Sequence, residues 1–160
     1  MQALDDPLAE LVEREAIREL IGATAAILDK EDLAGWIRLF APESEYEVSA
    51  YSREIRANMS WWKTTRPDLD RMLDDVQQHI RDSGRRLHVV SPISIAVAGG
   101  RATAVSHFVV LRTQNDGETH LYVAGRYEDA LVKKGGRWLY AHHHAVLETR
   151  MLESLTHLPL

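Results

Sequence analysis

Three side chains with the chemistry of metal ligands lie close together in the last part of the sequence. His142 and His144 are two residues apart, and Glu148 follows four residues later. Along a β-strand, residues separated by an even number of positions point to the same face, so these three side chains share one side. Imidazole and carboxylate groups suit a divalent transition-metal ion. A metal site is therefore the first chemistry to consider.

The surrounding sequence argues against that site. Gly136, His142, His144 and Glu148 match the first half of the cupin metal motif in their spacing. The glycine that follows the glutamate in that motif is missing, and too few residues remain for the second half with its third histidine. We therefore expect no metal in this chain. We expect the two histidines and Glu148 to line an interface or the wall of a pocket.

Other polar residues of this region have a structural interpretation. Arg126 and Asp129 are three apart, so on one strand they face opposite sides and cannot pair with each other. We expect Arg126 to form an ion pair with a carboxylate on a neighbouring strand, with Glu148 as a candidate, rather than to bind a ligand. His107 and His120 fall on adjacent predicted strands, where they could be near neighbours, and we expect them to be exposed hairpin residues.

Two adjacent tryptophans, Trp61 and Trp62, stand in a segment without clear periodicity. Aromatic residues are enriched at protein interfaces. We expect these two side chains either to cover the mouth of a pocket or to anchor a subunit contact.

The polar residues near positions 107 to 148 are positioned by a predicted three-strand antiparallel meander. Its strands cover residues 102–113, 118–132 and 137–150, and its turns contain Gly117 and the pair Gly135 and Gly136. A hairpin turn needs glycine where φ is positive. The strands mix apolar with polar positions, which predicts a sheet with two different faces.

The N-terminal half predicts helices that cover this sheet. Asp6 and Pro7 are typical of a helix start, and we expect the helix to end near Asp29. Asp32 can cap a second, short helix that Pro42 stops, and a third helix is predicted from about Pro67 to residues 83–84. The expected buried positions of the three helices are Val12, Ala16, Ile17, Leu20, Ile21, Thr24 and Leu28, then Leu33, Trp36, Ile37 and Phe40, then Leu69, Met72, Leu73, Val76 and Ile80.

Two further strands complete the layout. Residues 45–51 alternate like a strand, and residues 86–98 have period two, with Leu87, Val89, Ile93, Ile95 and Val97 expected on one side. Pro92 marks a bulge or an edge. The order helix, helix, strand, helix and four strands predicts one α+β domain over residues 1–160, with helices packed on a bent sheet.

Composition excludes several classes of function. The chain of 160 residues contains no cysteine, which excludes a disulfide, a thiolate nucleophile and an iron–sulfur cluster held by cysteine. The net charge of −5 and the scattered basic residues argue against a nucleic-acid partner. Residues 1–6 lack the basic and apolar segments of a signal peptide, and no apolar run is long enough to cross a membrane. We therefore expect a soluble, cytoplasmic protein without a membrane partner.

Two segments carry a resemblance to a known family. They are LDKEDLAGWIRLF at residues 28–40 and AGRYEDALV at residues 124–132, followed by Gly136, Arg137 and Trp138 and by AVLET at residues 145–149. They resemble the small (β) subunits of Rieske non-haem iron aromatic-ring-hydroxylating dioxygenases, within the nuclear-transport-factor-2-like (SnoaL-like) superfamily. The stretch at residues 85–91 and the tail Leu158–Leu160 are similar to that family too. The resemblance implies a cone-shaped, curved antiparallel or mixed sheet covered by N-terminal helices, as in nuclear-transport-factor-2-like and cystatin-like folds.

The resemblance also implies a protein without chemistry of its own. The large (α) subunit of these oxygenases carries the Rieske iron–sulfur cluster and the mononuclear iron, whereas the β subunits form a homotrimer within an α3β3 assembly. We expect this chain to be such a structural subunit, with no cofactor and no catalytic residue. Tyr127, in the second matched segment, is a further candidate for a pocket or an interface.

An enzymatic alternative stays open. In scytalone-dehydratase-like and polyketide-cyclase-like enzymes, which resemble this chain at Asp29 and His88, an acid on the first helix pairs with a histidine on a strand. A carboxylate that orients a buried imidazole makes a general base near neutral pH. Under this alternative the chain is a dehydratase, isomerase or cyclase; a protein that only binds a small apolar ligand would need the same pocket without that pair.

Overall fold

A mixed sheet of six strands forms one layer of the molecule, and three helices pack against one of its faces. The computed structural model describes residues 6–76, 82–152 and 158–160. The elements are α1 (Pro7–Asp29), α2 (Leu33–Ile37), β1 (Phe40–Ser52), β2 (Ala57–Thr65), α3 (Arg66–Val76), β3 (Arg85–Ala98), β4 (Arg101–Thr113), β5 (Thr119–Lys134) and β6 (Arg137–Leu147). The α+β class and the helix-covered sheet are thereby confirmed.

The strand order is β2-β1-β6-β5-β4-β3. Strands β4, β5 and β6 form the predicted antiparallel meander, and Gly117, Gly135 and Gly136 have the positive φ angles expected at its turns. Strand β1 pairs in parallel with β6 and antiparallel with β2. The first strand of the chain therefore lies beside the last, and their parallel pairing makes the sheet mixed.

The helices begin where the sequence predicts. The Asp6 carboxylate accepts a hydrogen bond from the Leu8 N–H at 3.0 Å, and Asp32 caps α2 by accepting one from the Gly35 N–H at 2.8 Å. Helix α1 buries Ile17, Leu20, Ile21, Thr24 and Leu28 against the sheet, as predicted. The sequence places Val12 on that face as well, but the structure leaves it exposed. Leu8 and Leu11 are exposed too, so the first turns of α1 are not covered by other elements.

The region after α2 differs from the prediction. Phe40 was assigned to the helical stripe, with Pro42 as its stop, but α2 ends at Ile37 and both residues belong to β1. Pairing with β6 overrides the helical spacing, since the Tyr140 N–H donates to the Leu39 carbonyl at 2.9 Å. Pairing between β1 and β6 is interrupted between Phe40 and Glu45, so the missing N–H of Pro42 removes no bond to β6.

The tryptophan segment is also different, because residues 57–65 form β2 rather than an irregular piece. This strand lies at the edge of the sheet and is mostly exposed, so its sequence lacks the alternation that reveals a half-buried strand. Helix α3 begins at Arg66 and buries Leu69 and Leu73, whereas Met72 is exposed and not part of the core. The predicted position Ile80 lies outside the described residues.

The bulge predicted at Pro92 is present, and it changes which residues of β3 point toward the helices. Pairing with β4 shifts by one residue between Pro92 and Ser94. Before the shift Arg86 and His88 point inward and Leu87 and Val89 are exposed; after it Ile95 points inward. The predicted single apolar side of β3 is therefore wrong, because one extra residue reverses the alternation.

Candidate functional site

The two faces of the sheet carry separate groups of titratable side chains. The face toward the helices, called the inner face here, carries His88 and His143, each paired with an aspartate. The opposite, outer face carries His142 and His144. Because successive residues of a strand alternate in direction, the triplet at residues 142–144 contributes to both faces.

Asp29 and His88 meet as the enzymatic alternative requires. Asp29 ends α1, and its Oδ1 accepts hydrogen bonds from the His88 backbone N–H at 2.9 Å and from His88 Nδ1 at 2.6 Å. The side chain of His88 is buried, and its Nε2 has no hydrogen-bond partner in the part of the chain that the structure describes. With the proton on Nδ1, a neutral His88 presents the lone pair of Nε2 and has the form of a general base.

A second Asp–His pair, absent from the sequence predictions, lies on the inner face. Asp129 Oδ1 is 2.6 Å from His143 Nδ1, and both side chains are almost fully buried. Asp129 Oδ2 and His143 Nε2 have no partner among the described residues. The inner face thus holds two buried imidazoles, each oriented by a carboxylate and each with an Nε2 that is unpaired within the described ranges and has the form of a proton acceptor.

Aromatic side chains fill the space around His143. Its ring packs against Phe40, Tyr46, Tyr127 and Tyr140, with centroid distances between 4.6 and 5.9 Å. Tyr127, proposed above for a pocket or an interface, is buried here and also stacks on Phe108 at 4.1 Å. Burial, and secondarily the neighbouring acidic groups, raises the pKa of Tyr127 well above its ordinary value, so its phenol stays protonated.

Residues 158–160 pack against this region at Tyr46. Leu158 and Leu160 are buried in the core, and the Leu160 N–H donates to the Tyr46 hydroxyl at 3.0 Å. Tyr46 in turn contacts the His143 ring at 5.8 Å between centroids. Tyr46 therefore connects residues 158–160 with the aromatic group around His143.

On the outer face, His142 and His144 lie beside Glu47 of β1 rather than beside Glu148. His142 Nε2 is 3.4 Å from Glu47 Oε2. Glu148 shares this face, as predicted, but it is exposed and accepts a hydrogen bond from Arg126 at 3.4 Å. The predicted cross-strand ion pair is therefore present, and Arg126 also binds Glu128 at 2.8 Å.

Arg126 and Glu148 line an open cleft of about 600 Å³, together with Tyr51, Arg53, Asn58 and Arg150. Acidic residues offset the positive charge of the arginines in the cleft. Arg150, for example, makes two hydrogen bonds of 2.9 Å to Glu54. Those bonds lower the pKa of the Glu54 carboxyl to about 2. The cleft is thus a charged, solvent-exposed surface.

The remaining candidate residues, the two tryptophans and the histidines of β4 and β5, lie outside these groups. Trp62 packs edge-on against Tyr46 at 5.1 Å, whereas Trp61 is 40% exposed. His107 is exposed, but it pairs with Arg126 in the sheet while His120 pairs with Arg112, so the two histidines are not neighbours. The hairpin separates them by several residue pairs. The expected exposure is confirmed for His107, whereas His120 is partly buried.

Sequence reasoning missed Asp129–His143 and Glu47 for different reasons. Counting back from the turn at Gly135 and Gly136 would place Asp129 opposite His142, but a shift between Ala130 and Leu131 places it opposite His143. The inward direction of His143 could have been read from the alternation of the triplet. Glu47 comes close only through the parallel pairing of β1 with β6, for which the sequence carries no signal.

The composition limits the redox groups that this chain can bind. A Rieske cluster takes two cysteine and two histidine ligands, and the chain has no cysteine. In the described part of the chain, no helix combines the length and apolar character needed to cross a bilayer.

Comparison with curated proteins gives relatives of matching length. The chain is 27% identical to the methanesulfonate monooxygenase hydroxylase subunit beta of Methylosulfonomonas methylovora, over 97% of this chain and 91% of the relative. It is 26% identical to the 2-aminobenzenesulfonate 2,3-dioxygenase subunit beta of an Alcaligenes species, over 91% of this chain and 97% of the relative.

Solved structures share the fold. A protein described as the β subunit of an aromatic-ring-hydroxylating dioxygenase from Novosphingobium aromaticivorans superimposes with a TM-score of 0.79 at 23% identity, covering 89% of this chain and 94% of that one. The family model described as a SnoaL-like domain matches residues 9–144, which include both Asp–His pairs and every strand of the sheet except the end of β6. The chain therefore belongs to the SnoaL-like domain family.

Proposed function

We propose that this chain is the small (β) subunit of a multicomponent hydroxylating oxygenase of the Rieske type, where it organises the large subunits. One observation carries the proposal: the chain matches hydroxylase and dioxygenase β subunits over nearly the whole length of both proteins. A match of this extent includes the surfaces of the chain as well as its core.

The packing of the inner face supports a structural role. Leu158, Leu160 and the aromatic side chains around His143 are buried between sheet and helices. Their burial adds apolar contact area, which stabilises the fold as a scaffold requires.

An apolar patch on the outer face supports association with another subunit. Leu87, Val89 and Leu121 are each more than half exposed. In the sheet register Leu87 pairs with Leu111, and Leu111 pairs with Leu121, so these side chains adjoin on three strands. Contiguous exposed apolar surface of this kind is typical of a protein interface.

The proposed assembly divides the chemistry between chains. The large subunit would supply the Rieske cluster and the mononuclear iron, because this chain lacks the cysteine ligands of the cluster. Three copies of this chain would form a trimer within an α3β3 hexamer. The substrate would then be bound by the large subunit and not by this chain.

The test is co-expression with a Rieske large subunit encoded beside this gene, followed by measurement of the native mass. We expect a complex with equal numbers of the two chains. Leu87→Arg should weaken that complex because it places a charge in the apolar patch, whereas Leu11→Arg, at an exposed apolar position on α1, should not. A chain that stays monomeric and never binds a Rieske partner would contradict the proposal.

The two Asp–His pairs of the inner face favour one second candidate, a stand-alone dehydratase, isomerase or cyclase. Here His88 would remove a proton from the substrate through Nε2, and Asp29 would hold the imidazole in the required tautomer. Assay of the lone chain with cyclic ketone and polyketide-like substrates tests this candidate. Turnover that is lost in Asp29→Asn would establish it over the structural role.

A further inference from the structure

Three potential metal ligands from two strands meet on the outer face, where β1 runs parallel to β6. They are Glu47, His142 and His144, and the closest ligand atoms of all three lie within 4.8 Å of one another. None of them belongs to the Asp–His pairs of the inner face. Two imidazoles and one carboxylate on one face form a ligand set typical of divalent iron, cobalt, nickel or zinc.

The distances between the donor atoms suit a bound ion. His142 Nε2 is 3.4 Å from Glu47 Oε2, and His144 Nε2 is 3.9 Å from Glu47 Oε1. Nitrogen and oxygen ligands at their usual distance from a tetrahedral zinc ion are separated by about 3.4 Å. Small side-chain rotations would therefore bring all three groups to an ion, without movement of the strands.

The backbone and the ring contacts hold the ligands in this arrangement. Glu47 is the sheet partner of His144, and the rings of His142 and His144 stack with 5.5 Å between their centroids. The side chains of Glu47 and His144 are mostly buried, and that of His142 is about two-thirds buried. Ligands that are already ordered lose little entropy when an ion binds.

Two neighbouring side chains, Ser49 and Lys63, already contact proposed ligands, and each can give way to an ion. Ser49 Oγ is 2.7 Å from His144 Nε2, and rotation of this hydroxyl frees the nitrogen lone pair. Lys63 Nζ is 3.8 Å from Glu47 Oε2 but only 3.5 Å from Glu45 Oε2, so Glu45 can keep this ammonium group while Glu47 binds the ion.

The charges around the ligands favour a cation. Strand β1 contributes Glu45 and Glu47, and β5 contributes Glu128 opposite His144. The facing cations are Lys63 on β2 and Arg126 on β5, and Arg126 is also bound to Glu148. With neutral histidines the local charge is negative, which a divalent ion would offset.

We propose that Glu47, His142 and His144 form a binding site for a divalent first-row transition-metal ion that links β1 to β6. The cupin spacing pointed to Glu148 as the carboxylate ligand, but the neighbouring strand supplies Glu47 instead. Three protein ligands leave at least one coordination position for water. The ion joins the first strand of the chain to the last and so stabilises the parallel pairing of the sheet.

The test uses the full-length chain, purified without a histidine tag and stripped with a chelator. Isothermal titration with Zn²⁺ should show one ion per chain with micromolar affinity. Glu47→Gln and His142→Ala should each lower the affinity by at least about tenfold, since each removes a ligand. Glu43→Gln makes the same charge change on β1, at an exposed glutamate that pairs with Lys134, and should bind like the wild-type chain.

Two further measurements separate this site from weak surface binding. Co²⁺ should give the visible absorption of a four- or five-coordinate ion in the wild-type chain and not in Glu47→Gln. Zn²⁺ should raise the melting temperature of the wild-type chain but not that of Glu47→Gln, whose melting temperature without metal reports whether it folds. Absence of stoichiometric Zn²⁺ binding, or equal affinity in Glu47→Gln, would overturn the proposal. Because the lone chain is titrated, either result is independent of any large subunit.

Discussion

Three consecutive histidines serve two opposite surfaces of this protein. His143 points into the core, where Asp129 binds its Nδ1 atom, while His142 and His144 point outward to Glu47. Burial differs between these groups: Asp129 and His143 are almost fully buried among aromatic rings, whereas Glu47, His142 and His144 keep part of their surface exposed. A substitution at one of the three positions should therefore affect only one face.

Trp61 and Trp62 are also adjacent residues whose side chains have different surroundings, and this difference leads to a prediction. Trp62→Ala should lower the free energy of unfolding by about 2–3 kcal/mol, because it removes the packing of the indole on Tyr46. Trp61→Ala should change that free energy by no more than about 0.5 kcal/mol, since its side chain is largely exposed. Urea denaturation of the lone chain, followed by circular dichroism, measures both values. Equal losses for the two variants would contradict the finding that Trp62, and not Trp61, packs against the core.

An ion pair between Asp82 and Arg112 joins the start of β3 to the end of β4. Asp82 precedes β3, and its two carboxylate oxygens accept hydrogen bonds from Arg112 of β4 at 2.7 and 2.5 Å. Both side chains are mostly buried. The hydrogen bonds from Arg112 lower the pKa of Asp82 from 3.8 to about 2.

We predict a pH-dependent loss of stability in Asp82→Asn. A carboxyl whose pKa is lowered on folding stabilises the folded state above its unfolded pKa, and this contribution is lost as the pH falls through the folded pKa. The variant should be less stable by about 1 kcal/mol at neutral pH, allowing for screening by solvent. The difference from the wild-type chain should disappear between about pH 4 and pH 2.

Thermal or urea unfolding across that pH range measures the effect. Asp70→Asn is the matched control, because it makes the same charge change at an exposed position of α3. A difference for Asp82→Asn that stays constant down to pH 2 would mean that its charge does not contribute in the folded state.

At the scale of the whole molecule, the sheet separates a mainly apolar, buried face from an outer face that carries charged and polar side chains. The inner face carries the buried Asp129–His143 pair, the partly buried Asp29–His88 pair, the aromatic side chains and residues 158–160. The outer face carries the apolar patch, the charged cleft and the proposed metal ligands. A subunit that organises other chains needs this distribution, because its contacts are made by its surface.

Leu160 provides a test of the packing on the inner face. Leu160→Ala should lower the free energy of unfolding by about 2–4 kcal/mol, because the leucine is buried beside Tyr46 and its removal leaves a cavity. Met151→Ala, at an almost fully exposed position, should have little effect. Calorimetric melting of the two variants makes the comparison. If Leu160→Ala is as stable as the wild-type chain, residues 158–160 do not fill the core.

Much of the fold followed from local sequence signals. The meander was predicted because its strands alternate in polarity and its turns contain glycines at positive φ. The starts of α1 and α2 were predicted from their capping aspartates. These features depend on interactions between residues near each other in the chain, so periodicity and turn chemistry are sufficient to identify them.

The sites required the tertiary structure. A family resemblance predicts that Asp29 pairs with His88, and the structure confirms this contact. The pairing of Asp129 with His143, and the divided faces of β3, depend on one-residue shifts that reverse the direction of every following side chain. Glu47 joins the outer histidines only because β1 lies parallel to β6. By itself, the sequence determined the absence of cysteine, the helix starts and the meander, but not β2 or the start of β1. Strand register and strand neighbours arise from packing between distant segments, and they decided which side chains meet.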